Sequence, residues 1–285
     1  MAEVKIGIIG GSGIYDIEGV TDVELIEVDT PFGAPSDKIL LGTLSGVRFA
    51  FLPRHARGHK ISPTNLNFRA NIFAFKKLGV EEIISISAVG SLKEELKPRD
   101  FVVPDQLFDR TKMRASTFFE EGIVAHVGFA DPFCPRLSQM AYDTARQVGI
   151  PAHKGGTYIC IEGPQFSTRA ESKVYRQLGF SIIGMTNVPE AKLAREAEMC
   201  YVTVALVTDY DVWKEDEEVN VDKIMANLAA NTDNAKKFIK NLLPKLSAAR
   251  SCACAQALAT AVVTAKDAIP KKTLEKLKPI VGKYF

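Results

Sequence analysis

The run Tyr201-Val-Thr-Val-Ala-Leu-Val207, continuing into Thr208-Asp209-Tyr210-Asp211, decides how the chain is read. It is apolar and β-branched and follows acidic helical residues, as expected of a buried parallel strand. Strand side chains repeat every two residues. If the extended backbone persists to Asp211, then Asp209 and Asp211 project from one face just past the carboxyl end. Ligands of open α/β sheets sit at that edge. Adjacent carboxylates repel, so one of them can keep a proton and serve as hydrogen-bond donor or general acid. The competing reading is a solvated acidic turn leading into Trp213-Lys-Glu-Asp-Glu-Glu218. The other strand ends must decide between the two.

Working back from that strand, several others end in chemically useful residues. Val4-Lys-Ile-Gly-Ile-Ile-Gly-Gly-Ser-Gly13 is a strand entering a glycine turn, whose N–H groups and Ser12 hydroxyl suit an anion. The dinucleotide pattern G-x-G-x-x-G fails here. Asp16 stands at its last position, where a negative charge would oppose a pyrophosphate, so a dehydrogenase is a poor fit. Val47–Pro53 is a second strand, ending in Arg54-His55-Ala-Arg57-Gly-His59. Two arginines and two histidines make a cationic strand end, and an arginine fork fits phosphate. His55 and His59 have helix-like metal spacing, but Gly58 and the lack of an intervening glutamate argue for anion binding instead.

Pro63 to Leu78 reads as a helix capped by Ser62 and stopped by Gly79. Glu82–Ser87 is a strand ending in the small residues Ala88-Val-Gly-Ser91, which let a ligand approach the backbone. Further strands are expected at Phe101–Pro104, Gly156–Ile161 and Phe180–Thr186, and helices at Leu137–Val148 and Pro189–Met199. Thr168 and Glu171 form a capping box that opens a helix ending at Leu178. The loop before it presents Phe166, either as a stacking surface for a flat ring or as a core plug. A long helix over Asp222–Leu246 precedes a C-terminal extension, 247–285, with short helices expected at Gln256–Lys266 and Lys271–Leu277.

Composition narrows the class. With 285 residues, 46% hydrophobic and 25% charged, the chain supports one large α/β domain over 1–285, the extension packing on the body or on a neighbouring subunit. A net charge of +2 without a basic block argues against nucleic acid. No apolar run approaches a membrane span or a signal peptide, which points to the cytoplasm. Five cysteines, at 134, 160, 200, 252 and 254, include no Cys-x-x-Cys, and that spacing predicts no zinc site and no other metal.

Taken together, the strand ends describe one cleft. Its anion pole is Ser12, Arg54, His55 and Thr186, and its acidic pole is Asp209 and Asp211. Such a cleft suits transfer of a sugar from a basic heterocycle to phosphate, the acid protonating the departing ring nitrogen.

The motifs Gly10-Gly-Ser-Gly, Pro53-Arg-His-Ala-Arg, Ser87-Ala-Val-Gly-Ser, Glu162-Gly-Pro-Gln-Phe-Ser-Thr-Arg-Ala-Glu-Ser, Met185-Thr-Asn-Val-Pro-Glu and Thr208-Asp-Tyr-Asp-Val-Trp resemble the purine nucleoside phosphorylase family, in its methylthioadenosine-cleaving branch. The resemblance covers about residues 4–245. It implies a mixed, partly closed central sheet flanked by helices, and a trimer or dimer of trimers. It implies phosphorolysis of 5′-methylthioadenosine to adenine and 5-methylthioribose-1-phosphate, with phosphate as co-substrate and no cofactor. By the same resemblance Ser12, Arg54, His55, the Ala88 N–H and Thr186 hold phosphate. Met185 meets the ribose, Phe166 the base and Val219 the methylthio group, while His126 closes that pocket from a neighbouring subunit. Asp209 is the acid at purine N7, and Asp211 accepts from the exocyclic amine. Relatives cleaving inosine or guanosine carry Asn at the position of Asp209, so Asp-Tyr-Asp favours a 6-aminopurine. A broader purine nucleoside phosphorylase is the alternative, and a nucleoside-sensing module without turnover is a third. Hyperthermophilic relatives carry disulfides, which the resemblance extends to Cys134, Cys200, Cys252 and Cys254; other relatives keep the first two reduced.

Overall fold

The computed structural model describes residues 4–14, 16–214, 221–247 and 250–285. Eleven strands are present among them: β1 (Ile6–Gly10), β2 (Thr21–Ile26), β3 (Ile39–Leu44), β4 (Val47–Pro53), β5 (Glu82–Ser91), β6 (Phe101–Val103), β7 (Gln106–Arg110), β8 (Ala152–Lys154), β9 (Thr157–Ile161), β10 (Ile182–Gly184) and β11 (Cys200–Asp209). The helices are α1 (Phe68–Lys77), α2 (Pro135–Gln147), α3 (Arg169–Gln177), α4 (Asn187–Glu196), α5 (Val221–Leu242) and α6 (Lys271–Val281).

All strands join one mixed sheet, ordered β2-β3-β4-β1-β5-β10-β9-β7, with β11 branching from β5 and leading through β6 to β8. The branch is made by the length of β5. Its first residues pair with β1 on one side and β11 on the other, while its last two pair with β10. Strands β4, β1, β5 and β11 run parallel, so their carboxyl ends share one edge. That edge is where the sequence reading places a ligand.

Both long central strands are apolar because both faces are covered. On one side Ile9, Leu52 and Ile83 meet Phe73 and Phe75 of α1 and Leu193 and Ala194 of α4. On the other, Ile8, Ile84, Val202 and Val204 meet Leu137 and Ala141 of α2 and Phe238 and Leu242 of α5. Leu258, Ala261, Ile269, Leu277 and Ile280 of the C-terminal extension belong to the first cluster.

Several boundaries differ from the sequence expectation, each for a local reason. The helix expected from Pro63 is a 3-10 turn at Pro63–Asn65 followed by α1. Asn67, not Ser62, is the cap, accepting from the Ala70 N–H, while Ser62 makes no cap bond. Gly79 ends the helix at φ +88°, a conformation glycine adopts freely. Strand β5 continues through the small residues to Ser91, because it gains β10 as a partner there. Strand β10 covers only Ile182–Gly184, and α5 stops at Leu242, just before Pro244. The Ala-rich segment 256–266 forms turns after a 3-10 turn at Ala253–Gln256, without an α-helix; its backbone bridges to Ala125 through Val262. Strands β2, β3, β7 and β8 carry no strong apolar alternation and escape the sequence reading. The capping box opening α3 is present as expected.

Candidate active site

Strand β11 ends at Asp209, and the chain then turns. Asp211 adopts φ +53°, so the extended backbone does not persist and the period-two argument for a shared face fails. The turn nevertheless brings the two carboxyl groups together. The Asp211 N–H donates to Asp209 Oδ1 at 2.8 Å. A register shift between Val207 and Asp209 sets Asp209 beside Gly90 of β5. From α5, Asn231 and Asn227 donate to the Val207 and Thr208 carbonyls and hold the strand end. Tyr210 and Trp213 pack edge to face beneath the turn, with Trp213 Nε1 donating to the Ser91 carbonyl.

Burial raises the pKa of Asp209 above its ordinary value, opposed by hydrogen bonds from the Thr208 hydroxyl and the Asp211 N–H. The pKa of Asp211 rises to about 6, first through burial and then through the Asp209 charge, with Ser172 opposing. Thr208 Oγ1 lies 2.7 Å from Asp209 Oδ2 and 3.1 Å from the Val89 carbonyl. A hydroxyl has one hydrogen and the carbonyl only accepts. The single Thr208 hydrogen is therefore shared between the Asp209 carboxylate and the Val89 carbonyl. Asp211 Oδ2 is buried and makes no formal hydrogen bond among the described residues, and neither does the Ser172 hydroxyl. The two unpartnered groups are neighbours, since it is the Ser172 hydroxyl that opposes the rise of the Asp211 pKa.

Gly90 keeps the pair accessible. A Cβ there would stand 3.1 Å from Asp209 Oδ1 and from Ile183 Cγ2, and 3.4 Å from Asp211 Cβ. Gly90→Ala is expected to lower kcat roughly tenfold by displacing the carboxylates a fraction of an ångström, with little change in melting temperature. Steady-state kinetics beside a thermal melt checks this. Ala88 is exposed in a strand whose other residues are almost all buried, which opens its backbone to the cleft.

The anion pole differs from its sequence reading in charge. Arg54 is buried, and its fork is taken by Glu190 of α4: Nε to Oε2 at 2.9 Å, Nη2 to Oε1 at 3.0 Å. Nη2 also reaches Ser85 Oγ, and Nη1 the Ile86 carbonyl. Among the described residues this leaves Arg54 one Nη1 hydrogen for an anion, not a bidentate grip. Glu190 in turn accepts from Ser85 Oγ and the Tyr201 hydroxyl. Arg57 is paired to Asp37.

His55 is held neutral. Burial pushes its pKa down to about 4, with the Ile61 carbonyl pulling the other way. Nδ1 is 2.8 Å from that carbonyl, which can only accept, so Nδ1 carries the hydrogen and Nε2 is an acceptor. The expected cationic strand end is thus nearly neutral. As the pH falls below about 6.5 the unfolded ring gains a proton before the folded ring does. His55 therefore stabilises the fold fully above that pH and loses its contribution toward pH 4. The loss is on the order of 3 kcal/mol. Comparing unfolding free energies of the native chain and His55→Asn from pH 7 to 4 isolates this slope from the carboxyl groups.

Thr186 is buried at the start of α4, its hydroxyl 3.3 Å from Ser87 Oγ. Backbone geometry places Ser12 at the start of a 3-10 turn, Ser12–Ile14, after β1. Met185 is half-buried against Gly163. Phe166 is 63% exposed, so it is no core plug. His126 is exposed, its backbone N–H bound to the Ala261 carbonyl on the C-terminal extension. Val219 lies outside the described residues. At Gly184, the last residue of β10, only glycine fits, because a Cβ would fall 1.9 Å from the hydroxyl of buried Tyr158.

Two residues of the site escape the sequence reading. Glu190 sits in a motif quoted above, but nothing local marks it as the partner of Arg54, 136 positions away. Arg114, buried in an irregular stretch, binds Glu162 and the Glu162, Met185 and Val188 carbonyls, joining the two loops that flank the cleft.

The phosphorylase superfamily matches residues 5–244. An S-methyl-5′-thioadenosine phosphorylase of Koribacter versatilis is 59% identical over 99% of this chain and 97% of the relative. One of Geobacter sulfurreducens is 56% identical over 99% of both. A methylthioadenosine phosphorylase structure from an Antarctic soil metagenomic library superposes with a TM-score of 0.95 at 48% identity, covering 98% of this chain and 99% of that one. The methylthioadenosine phosphorylase of Schistosoma mansoni in complex with adenine gives 0.82 at 38% identity, covering 87% and 93%. With fold and sequence in agreement along its length, the chain belongs to the phosphorylase superfamily, among the S-methyl-5′-thioadenosine phosphorylases.

Proposed function

We propose that the chain cleaves 5′-methylthioadenosine with phosphate, giving adenine and 5-methylthioribose-1-phosphate. The observation that carries this is the buried Asp209–Asp211 pair at the end of β11, with both pKa values raised by burial. Protonated Asp209 donates to purine N7 as the glycosidic bond lengthens, so the base leaves without building up negative charge. Asp211 accepts from the 6-amino group. A 6-oxopurine would set an acceptor against it, and such a buried mismatch discriminates strongly.

Phosphate attacks the developing sugar cation from the opposite pole. Its ligands in this reading are Ser12, the Ala88 N–H, Thr186, the free Nη1 hydrogen of Arg54 and His55. Because His55 Nε2 accepts, it pairs with the P–OH of monohydrogen phosphate. Met185 meets the ribose, and exposed Phe166 stacks on the base. Val219 and a neighbouring subunit's His126 complete the methylthio pocket, which requires a homo-oligomer, a trimer or dimer of trimers. No cofactor is required, since phosphate is the second substrate. One domain with a docked C-terminal extension, located in the cytoplasm, completes the reading. Among the described residues no helix is long and apolar enough to cross a membrane.

Base release from methylthioadenosine, adenosine, inosine and guanosine, with and without phosphate, tests the proposal. Phosphate-dependent adenine release from methylthioadenosine and little release from inosine is expected. Preference for inosine would overturn the base-reading role of Asp211.

A further inference from the structure

At the other end of β11 the fold assembles a second cluster, one that residue spacing conceals. Cys134 precedes α2, Cys200 begins β11, and Cys252 and Cys254 flank the start of the 3-10 turn Ala253–Gln256. Their four sulfurs all lie within 4.8 Å of one another, Cys200 and Cys252 at 3.2 Å. All are free thiols; Cys134, Cys200 and Cys254 are buried and Cys252 is half-buried. Four sulfurs about 2.3 Å from one zinc ion stand about 3.8 Å apart at the corners of a tetrahedron. The observed cluster is of that size. The Cys-x-x-Cys rule misses it because the ligands come from three remote stretches.

We propose that Cys134, Cys200, Cys252 and Cys254 form a structural tetrathiolate site for a zinc ion. The surroundings suit such a centre. Four thiolates around a divalent ion carry a net charge of −2, and the guanidiniums of Arg136 and Arg250 lie against the Cys200 sulfur. Arg136 Nε is buried with no hydrogen-bond partner among the described residues, leaving an N–H donor for a ligating sulfur. On their far sides these arginines bind Glu82 and Glu81, which fix their orientation. Loading balances simply: four S–H groups release four protons to solvent and four Zn–S bonds form, with no change of oxidation state. The ion staples the C-terminal extension to the start of β11 and to α2. The ten residues of β11, at about 3.3 Å each, separate it from Asp209 by about 30 Å, so it takes no part in the chemistry.

The test uses the full chain purified under reducing conditions without chelator. Metal analysis is expected to find one zinc per chain. After chelator treatment, added Co2+ should give the sulfur-to-cobalt charge-transfer band and the intense visible bands of a tetrahedral ion. The double variant Cys252→Ser/Cys254→Ser should lose the cobalt spectrum and melt at lower temperature, with its rate of base release unchanged. A reduced chain that takes up neither Zn2+ nor Co2+, a cobalt spectrum without thiolate bands, or metal-free protein whose intact mass shows disulfides among these four cysteines would overturn the proposal.

Discussion

Asp209→Asn is expected to lower kcat for methylthioadenosine phosphorolysis by about 10²- to 10⁴-fold, the usual contribution of a positioned general acid. The reason is specific to this site. Burial raises the pKa of Asp209, which favours its carrying the proton that the leaving base takes up. An amide keeps the shape and can donate a hydrogen bond to N7, but it has no proton to transfer. KM should therefore change much less than kcat. A loss confined to KM would assign Asp209 to binding alone. Steady-state kinetics at saturating phosphate separates the two.

Glu190→Gln is expected to cost about 3–5 kcal/mol of stability, because it leaves the buried Arg54 guanidinium without a counter-charge. Burial alone disfavours a charged arginine here, and it is chiefly the Glu190 charge that offsets it. Replacing both partners by apolar residues, Arg54→Met with Glu190→Leu, should restore much of the loss, since a buried pair adds little over well-packed hydrophobic side chains. The same double variant should bind phosphate more weakly, because the remaining Nη1 donor is gone. Urea unfolding reads the first effect and the phosphate KM the second. If the single and double variants were equally unstable, the pair would not be the source of the cost.

How far the sequence carries these conclusions depends on the range of the interaction. Strand β11, the cap of α3 and the glycine stop of α1 depend on neighbours a few residues away, and each is legible in the chain. The carboxylate pair is legible by residue type, although the turn at Asp211 joins the groups by a route that alternation does not foresee. The charge of the anion pole is not legible. Whether Arg54 is free or paired depends on Glu190, and whether His55 is cationic depends on its burial and the Ile61 carbonyl. The short strands β2, β3, β7 and β8 draw their partners from the sheet and leave little pattern of their own. The cysteine cluster is the extreme case, four residues spread over 121 positions meeting at one point.

Proton delivery from Asp209 to purine N7 is the centre of the account, and a 7-deaza analogue of methylthioadenosine tests it most directly. The analogue keeps the 6-amino group for Asp211 and the 5′ substituent, but offers a C–H where N7 would accept the proton. It is expected to compete with methylthioadenosine for the site and to release no base in the presence of phosphate. Phosphate-dependent cleavage of the analogue at a rate comparable to methylthioadenosine would contradict the mechanism.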